Sequence, residues 1–116
     1  MNVKDVYEKI GGDYEEVYSR FRGDERVKKF ALKFLNDKSF DLLCESLESG
    51  NYEEAFRASH TIKGICSNLA FTRLYQSSCE LTELLREGQH DNLDGYVDKV
   101  RKDYMLTVEG IRELAG

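Results

Sequence analysis

A chain of 116 residues has room for one hydrophobic core, but not for a substrate domain beside a cofactor domain. It contains no proline, where average usage would give about six, which disfavours tight-turn architectures and Pro-rich linkers and favours long unbroken helices. With 17 Lys and Arg against 22 Asp and Glu the net charge is −5, the reverse of the basic surplus that marks nucleic-acid binding.

The first residues, Met1-Asn2-Val3-Lys4-Asp5, lack the basic patch and apolar stretch of a signal peptide. No apolar run is long enough to cross a membrane. A cytoplasmic location is therefore expected. Gly11-Gly12-Asp13 ends a short first helix and starts a second, and Asp13 with Glu16 has the spacing of a capping box. Gly23-Asp24 repeats the signal. Val27, Phe30, Ala31, Phe34 and Leu35 then mark one helix face, and Phe40, Leu43, Cys44 and Leu47 the next. Gly50-Asn51, with Glu54 three residues on, opens a long element that runs to about residue 70. Leu74, Ser78, Leu81 and Leu85 mark a helix starting near Thr72. After a break at Gly88-Gln89-His90, acidic residues Asp91 and Asp94 stand near the start of the last helix. Its residues Leu93, Val97, Val100, Tyr104, Thr107, Ile111 and Leu114 step by four and three, a seam suited to a bundle.

No window alternates with period two. The pattern predicts an all-α fold, an up-down four-helix bundle with short additional N-terminal helices. One domain is expected over residues 1–116, with the extra helices in 1–22 and the bundle in 24–115. Cys44, Cys66 and Cys79 are an odd number without a CxxC pair, and are expected to be reduced thiols packed mostly as small apolar groups.

The segment from Asn51 to Ala70 carries more than a core stripe. With about 100° per residue, Ala55, Ala58, Ile62, Ile65, Cys66 and Leu69 gather opposite His60. His60, Lys63, Gly64 and Ser67 gather on the outer side, with Phe56 within about 40° of His60 and Phe71 beside it if the helix continues that far. A glycine inside a helix costs about 1 kcal/mol relative to alanine. A solvent-facing helix surface gains nothing from it unless another molecule must approach the backbone closely. Apolar residues beside an exposed histidine point the same way, to a docking patch.

The run Ala58-Ser59-His60-Thr61-Ile62-Lys63-Gly64, continued by Asn68-Leu69, resembles the phosphoacceptor motif of histidine-containing phosphotransfer (Hpt) domains. The likeness extends over nearly the whole chain, through Tyr7 to Asp13, the helix with Phe30 and Phe34, and the Leu81/Leu84 segment. Two positions depart from the pattern. Ala70 stands where the family often has glycine, a change that reads as conservative. Thr82, with Ser78 a turn earlier, stands where some members place Gln or Glu as polar partner of the histidine.

The resemblance implies a phosphocarrier that relays phosphoryl groups to and from aspartates of response-regulator receiver domains, with a hybrid sensor histidine kinase as a further partner. In that role His60 is the phosphoacceptor. Lys63 sets its ammonium beside the phosphoryl oxygens, and Gly64 clears room for the receiver. Phe56, Ser67 and Phe71 help it dock. An unperturbed imidazole is largely uncharged, and so nucleophilic, at neutral pH. The resemblance also implies a monomer.

The chain lacks GxxxxGK[ST] and GxGxxG patterns, so a phosphocarrier without its own ATP site is expected rather than an enzyme. No zinc-ligand spacing or EF-hand loop is present. No metal or cofactor is expected on this chain, and any Mg²⁺ would come with the receiver. His90 sits in the Gly88 loop and is expected to be simply solvated. The competing function is a helical protein-protein adaptor that binds partners without phosphotransfer.

Overall fold

The computed structural model describes residues 2–115, and no strand occurs among them. Seven helices follow in order: α1 (Val3–Ile10), α2 (Tyr14–Phe21), α3 (Asp24–Lys33), α4 (Ser39–Glu48), α5 (Tyr52–Leu69), α6 (Thr72–Arg86) and α7 (Asp94–Ala115). A 3₁₀ turn, Phe34–Asn36, follows α3.

Local chemistry sets most of the boundaries. The side chain of Asn2 accepts the Asp5 amide at 2.8 Å, that of Asp13 the Glu16 amide at 3.1 Å, and that of Asn51 the Glu54 amide at 3.2 Å. Each supplies an acceptor to one of the amides that a helix start leaves without an intrahelical partner. Gly23 precedes α3 with no side chain to cap it, and Asp24 lies in the first turn, where it accepts the Tyr14 hydroxyl at 2.6 Å. The last helix begins at Asp94 rather than at Asp91, because Asn92 takes a left-handed conformation (φ 62°) that breaks the path.

Helices α4 to α7 run up and down, each packed on the next, through the short connections 49–51, 70–71 and 87–93. Phe40 of α4 stacks on Tyr104 of α7, with centroids 4.1 Å apart, and α3 with the 3₁₀ turn also packs on α7. The expected seam is present: Leu93, Val100, Thr107, Ile111 and Leu114 are buried, and Val97 and Tyr104 are partly so. Cys66 is buried, while Cys44 and Cys79 are half-buried, and all three are free thiols.

The N-terminal helices close one end of the bundle. Tyr7, Phe34 and Phe71 form an aromatic knot there, Phe71 lying 5.7 Å from Tyr7 and 5.4 Å from Phe34 between ring centroids. The Tyr7 hydroxyl, buried with its ring, donates to the Leu69 carbonyl at 2.8 Å. Burial also pushes its pKa well above the usual tyrosine value. Along α7, Gly110 lets Ile10 of α1 sit directly on the helix backbone, because a Cβ there would collide with the Ile10 side chain.

Candidate functional site

Helix α5 is built to show one face. Glu53 and Glu54 occupy its first turn, favourable beside the positive end of the helix dipole, and both pair with Arg57, at 2.7 and 3.2 Å. Ala55, Ala58, Ile62, Cys66 and Leu69 are buried as the spacing predicts, and Ile65 is half-buried at the edge of the stripe. Burial raises the pKa of the Cys66 thiol far above its usual value, so this sulfur is packing and not a nucleophile.

On the opposite side His60, Gly64 and Ser67 are exposed and Lys63 is half-buried. Lys63 forms no ion pair among the described residues. Around Gly64 the space is open: no atom lies within 4 Å of where a Cβ would stand, leaving aside the helix's own backbone. Nothing inside the protein therefore asks for a glycine there. The contrast is Gly110, whose missing side chain is filled by Ile10.

The half-buried Phe56 stacks near His60, with ring centroids 5.9 Å apart and planes 20° from parallel. Two groups that the sequence pattern did not place here join this end of the face. The guanidinium of Arg86 lies 5.4 Å from the centre of the Phe56 ring. His90 is exposed, as expected, but its ring lies flat on Tyr52 at 3.8 Å. Tyr52, Phe56, Arg86 and His90 line a shallow cleft of about 300 Å³ between the start of α5 and the end of α6.

Two sequence expectations are corrected, and one open position is resolved. Phe71 does not reach the outer face: it is 1% exposed. The helix stops at Leu69, Ala70 turns left-handed, and Phe71 drops into the aromatic knot. The left-handed turn also means that Ala70 is not a conservative exchange for glycine. At φ 55° its Cβ costs about 1–2 kcal/mol that glycine would not. Finally, neither Thr82 nor Ser78 is a partner of His60. Both are buried; the Thr82 hydroxyl meets that of Ser59 at 2.7 Å and donates to the Ser78 carbonyl at 2.6 Å. Ser59, one residue before the histidine, is what faces α6, and the Ser78 hydroxyl has no partner among the described residues.

The carboxyl end of α5 is held from outside the bundle. Arg20 of α2 donates to the carbonyls of Ser67, at 3.1 Å, and Asn68. These are among the last carbonyls of the helix, where a cation also favours the dipole.

The exposed histidine on a bundle helix, with lysine three residues on and an open glycine four residues on, lies within a stretch that matches a known family. A family model described as Hpt domain covers residues 36–113. The chain belongs to the Hpt domain family. No curated protein and no solved structure matches it. Hpt domains are helical bundles, as this chain is, and act as phosphocarriers in the histidine phosphotransfer steps of phosphorelays. Their partners in two-component systems are response-regulator receivers. Among the described residues of this Hpt domain, no helix is long and apolar enough to cross a membrane. Nor is any group of three or more His, Cys, Asp or Glu side chains placed to hold a metal ion.

Proposed function

We infer that His60 is the residue that carries the phosphoryl group, and that it exchanges that group directly with the aspartate of a receiver domain. The observation that carries this is Gly64: a helix-interior glycine, one turn from an exposed histidine, with no intramolecular neighbour to explain it. Close approach by a second protein accounts for it.

The reaction needs little from this chain beyond placement. A ring nitrogen of His60 attacks the phosphorus of the receiver's aspartyl phosphate. The N–P bond forms as the bond from phosphorus to the carboxyl oxygen breaks, and the aspartate leaves as carboxylate with the electron pair. The reverse step returns the group to a receiver. Lys63, one turn away and without an ion-pair partner among the described residues, sets positive charge beside the equatorial oxygens. Phe56 backs the imidazole at 5.9 Å, which limits the ring's freedom before attack. Ser67 is small and exposed, and leaves the next turn clear. The metal ion of the transfer is brought by the receiver, and ATP is used upstream by a kinase, not by this chain.

The test is transfer from a receiver carrying labelled aspartyl phosphate. The wild-type chain should take up label that is acid-labile and alkali-stable, and His60→Gln should take up none. Label on the His60→Gln chain sinks the assignment. Receivers that bind but never transfer would make the chain an adaptor instead.

A further inference from the structure

With Phe71 in the core, the outer face of α5 lacks the apolar surface expected at its carboxyl end. Two half-buried aromatic rings stand next to that end instead. Arg20 is bonded to Ser67 and Asn68, and its neighbour Phe21 stacks on Phe30 of α3, with centroids 5.0 Å apart. The ammonium groups of Lys33 and Lys29 lie 5.0 and 5.9 Å from the centre of the Phe30 ring. Arg26, Lys29 and Lys33 step along α3 by three and four and so share one face, and Arg22 precedes them at the end of α2. All four are exposed.

This is a concentration of charge of the opposite sign to the chain. Residues 20–33 hold six Lys and Arg and two acidic residues, a local +4 in a protein of −5. Arg22, Arg26, Lys29 and Lys33 form no ion pair among the described residues. Four exposed cations without an ion pair among the described residues, two of them over the Phe30 ring, are available to an anionic partner.

We propose that this basic stripe, centred on Phe30, docks the acidic rim of the receiver that exchanges phosphate at His60 and helps select among receivers. The proposal rests on the carrier function inferred above. An interface of about 800 Å² per partner is a disc roughly 16 Å in radius. Asn68 lies eight residues along α5 from His60, about 12 Å. A receiver centred on His60 therefore reaches the Arg20 clamp, and the stripe begins two residues further on, at Arg22. The receiver's phosphorylated aspartate and the carboxylates that bind Mg²⁺ give its transfer edge a negative field, which the stripe's positive charge attracts as the two proteins meet. A nucleic acid or lipid surface fits less well. The rest of the chain carries −9 and repels a polyanion, and an aromatic ring flanked by cations is the composition of a protein interface.

Screening reaches about 10 Å at 0.1 M salt, so the stripe acts mainly on encounter and less on the bound complex. The experiment compares full-length wild type with the triple variant Arg26→Glu, Lys29→Glu, Lys33→Glu. Reversing three exposed cations elsewhere, Lys4, Lys102 and Arg112, gives a control of equal net charge. The second-order rate of transfer from a phosphorylated receiver should fall about tenfold or more in the stripe variant at low salt, with a flattened salt dependence. The rate at saturating receiver should stay within about twofold, and the control should behave as wild type. Equal losses in both variants, or no change in rate and salt dependence, overturn the proposal. So does binding of anionic vesicles or duplex DNA by wild type that the stripe variant loses while transfer is intact. Receiver binding is measured in parallel by calorimetry, with His60→Gln as reference. If no transfer occurs but binding is lost on reversal, the carrier function fails and the stripe stands. If transfer occurs with charge-insensitive kinetics and binding, the stripe fails alone.

Discussion

Substituting Gly64 should raise stability and lower function at once. A helix-interior glycine costs about 1 kcal/mol relative to alanine, partly through the freedom it adds to the unfolded chain. No neighbour stands within 4 Å of the missing Cβ, so alanine adds no clash and the gain is realised. Gly64→Ala should therefore raise the unfolding free energy by about 1 kcal/mol and Tm by about 4 °C. Gly64→Gln should gain about half as much. The longer side chain then stands one turn from His60, where the receiver's phosphoryl group must arrive within about 3–3.5 Å of the imidazole. A displacement of about 1 Å in such a step costs roughly 100-fold. Thermal unfolding followed by circular dichroism gives the first number, and rapid-quench transfer at saturating receiver the second. A destabilised Gly64→Ala chain would show that the glycine serves packing. Wild-type transfer by Gly64→Gln would show that no partner comes close to it.

Phe71→Ala should cost about 3–5 kcal/mol in denaturant unfolding, a large share of a typical domain's stability, whereas the half-buried Phe56→Ala should cost clearly less and raise the receiver concentration needed for half-maximal transfer. Ser78→Ala should leave stability unchanged or gain up to about 1 kcal/mol, because the buried hydroxyl has no partner to lose. Thr82→Val should instead cost about 1–2 kcal/mol by removing the group that meets Ser59. Tyr14 should ionise late: its hydroxyl donates to Asp24, which pushes its pKa up to about 12. The neutral ring is favoured in the folded state, so this stabilisation is full below about pH 10 and is lost as pH rises towards 12. In a titration at 295 nm, Asp24→Asn should bring one late tyrosine down, while Tyr7 and Tyr104, raised by burial, stay late.

Features set by residues within four positions of one another were readable from the sequence. The caps at Asp13 and Asn51 are such features, because a short polar side chain meets an amide three residues on. So is the division of α5 into a core stripe and a face with His60, Lys63, Gly64 and Ser67. Phe71 would reach the outer face only if the helix ran two residues past its true end at Leu69. An alanine that turns left-handed leaves no glycine or proline to announce the stop. Thr82 stands on the neighbouring helix, as the family pattern has it, but its hydroxyl meets Ser59 and not His60. Whether His60 or Ser59 faces α6 depends on how α5 is rotated in the bundle, and a step of one residue turns the face by about 100°. Arg86 over Phe56, and His90 on Tyr52, are contacts between side chains far apart in sequence, set by helix packing alone.

The contacts between the first and last helices separate ancestry from cooperativity. The family model's match begins at residue 36, yet the end of the helix that carries His60 is held by Tyr7 and Arg20, both before that point. Helix α1 also lies against α7 through Ile10 at Gly110 and through the Lys9–Glu113 pair at 2.6 Å. Residues 36–113 alone would strip two of the three rings from the aromatic knot and leave Phe71 facing water. The stretch that can be transplanted into another protein as a working module is thus longer than the stretch that marks its kinship, and the leading 35 residues must travel with it.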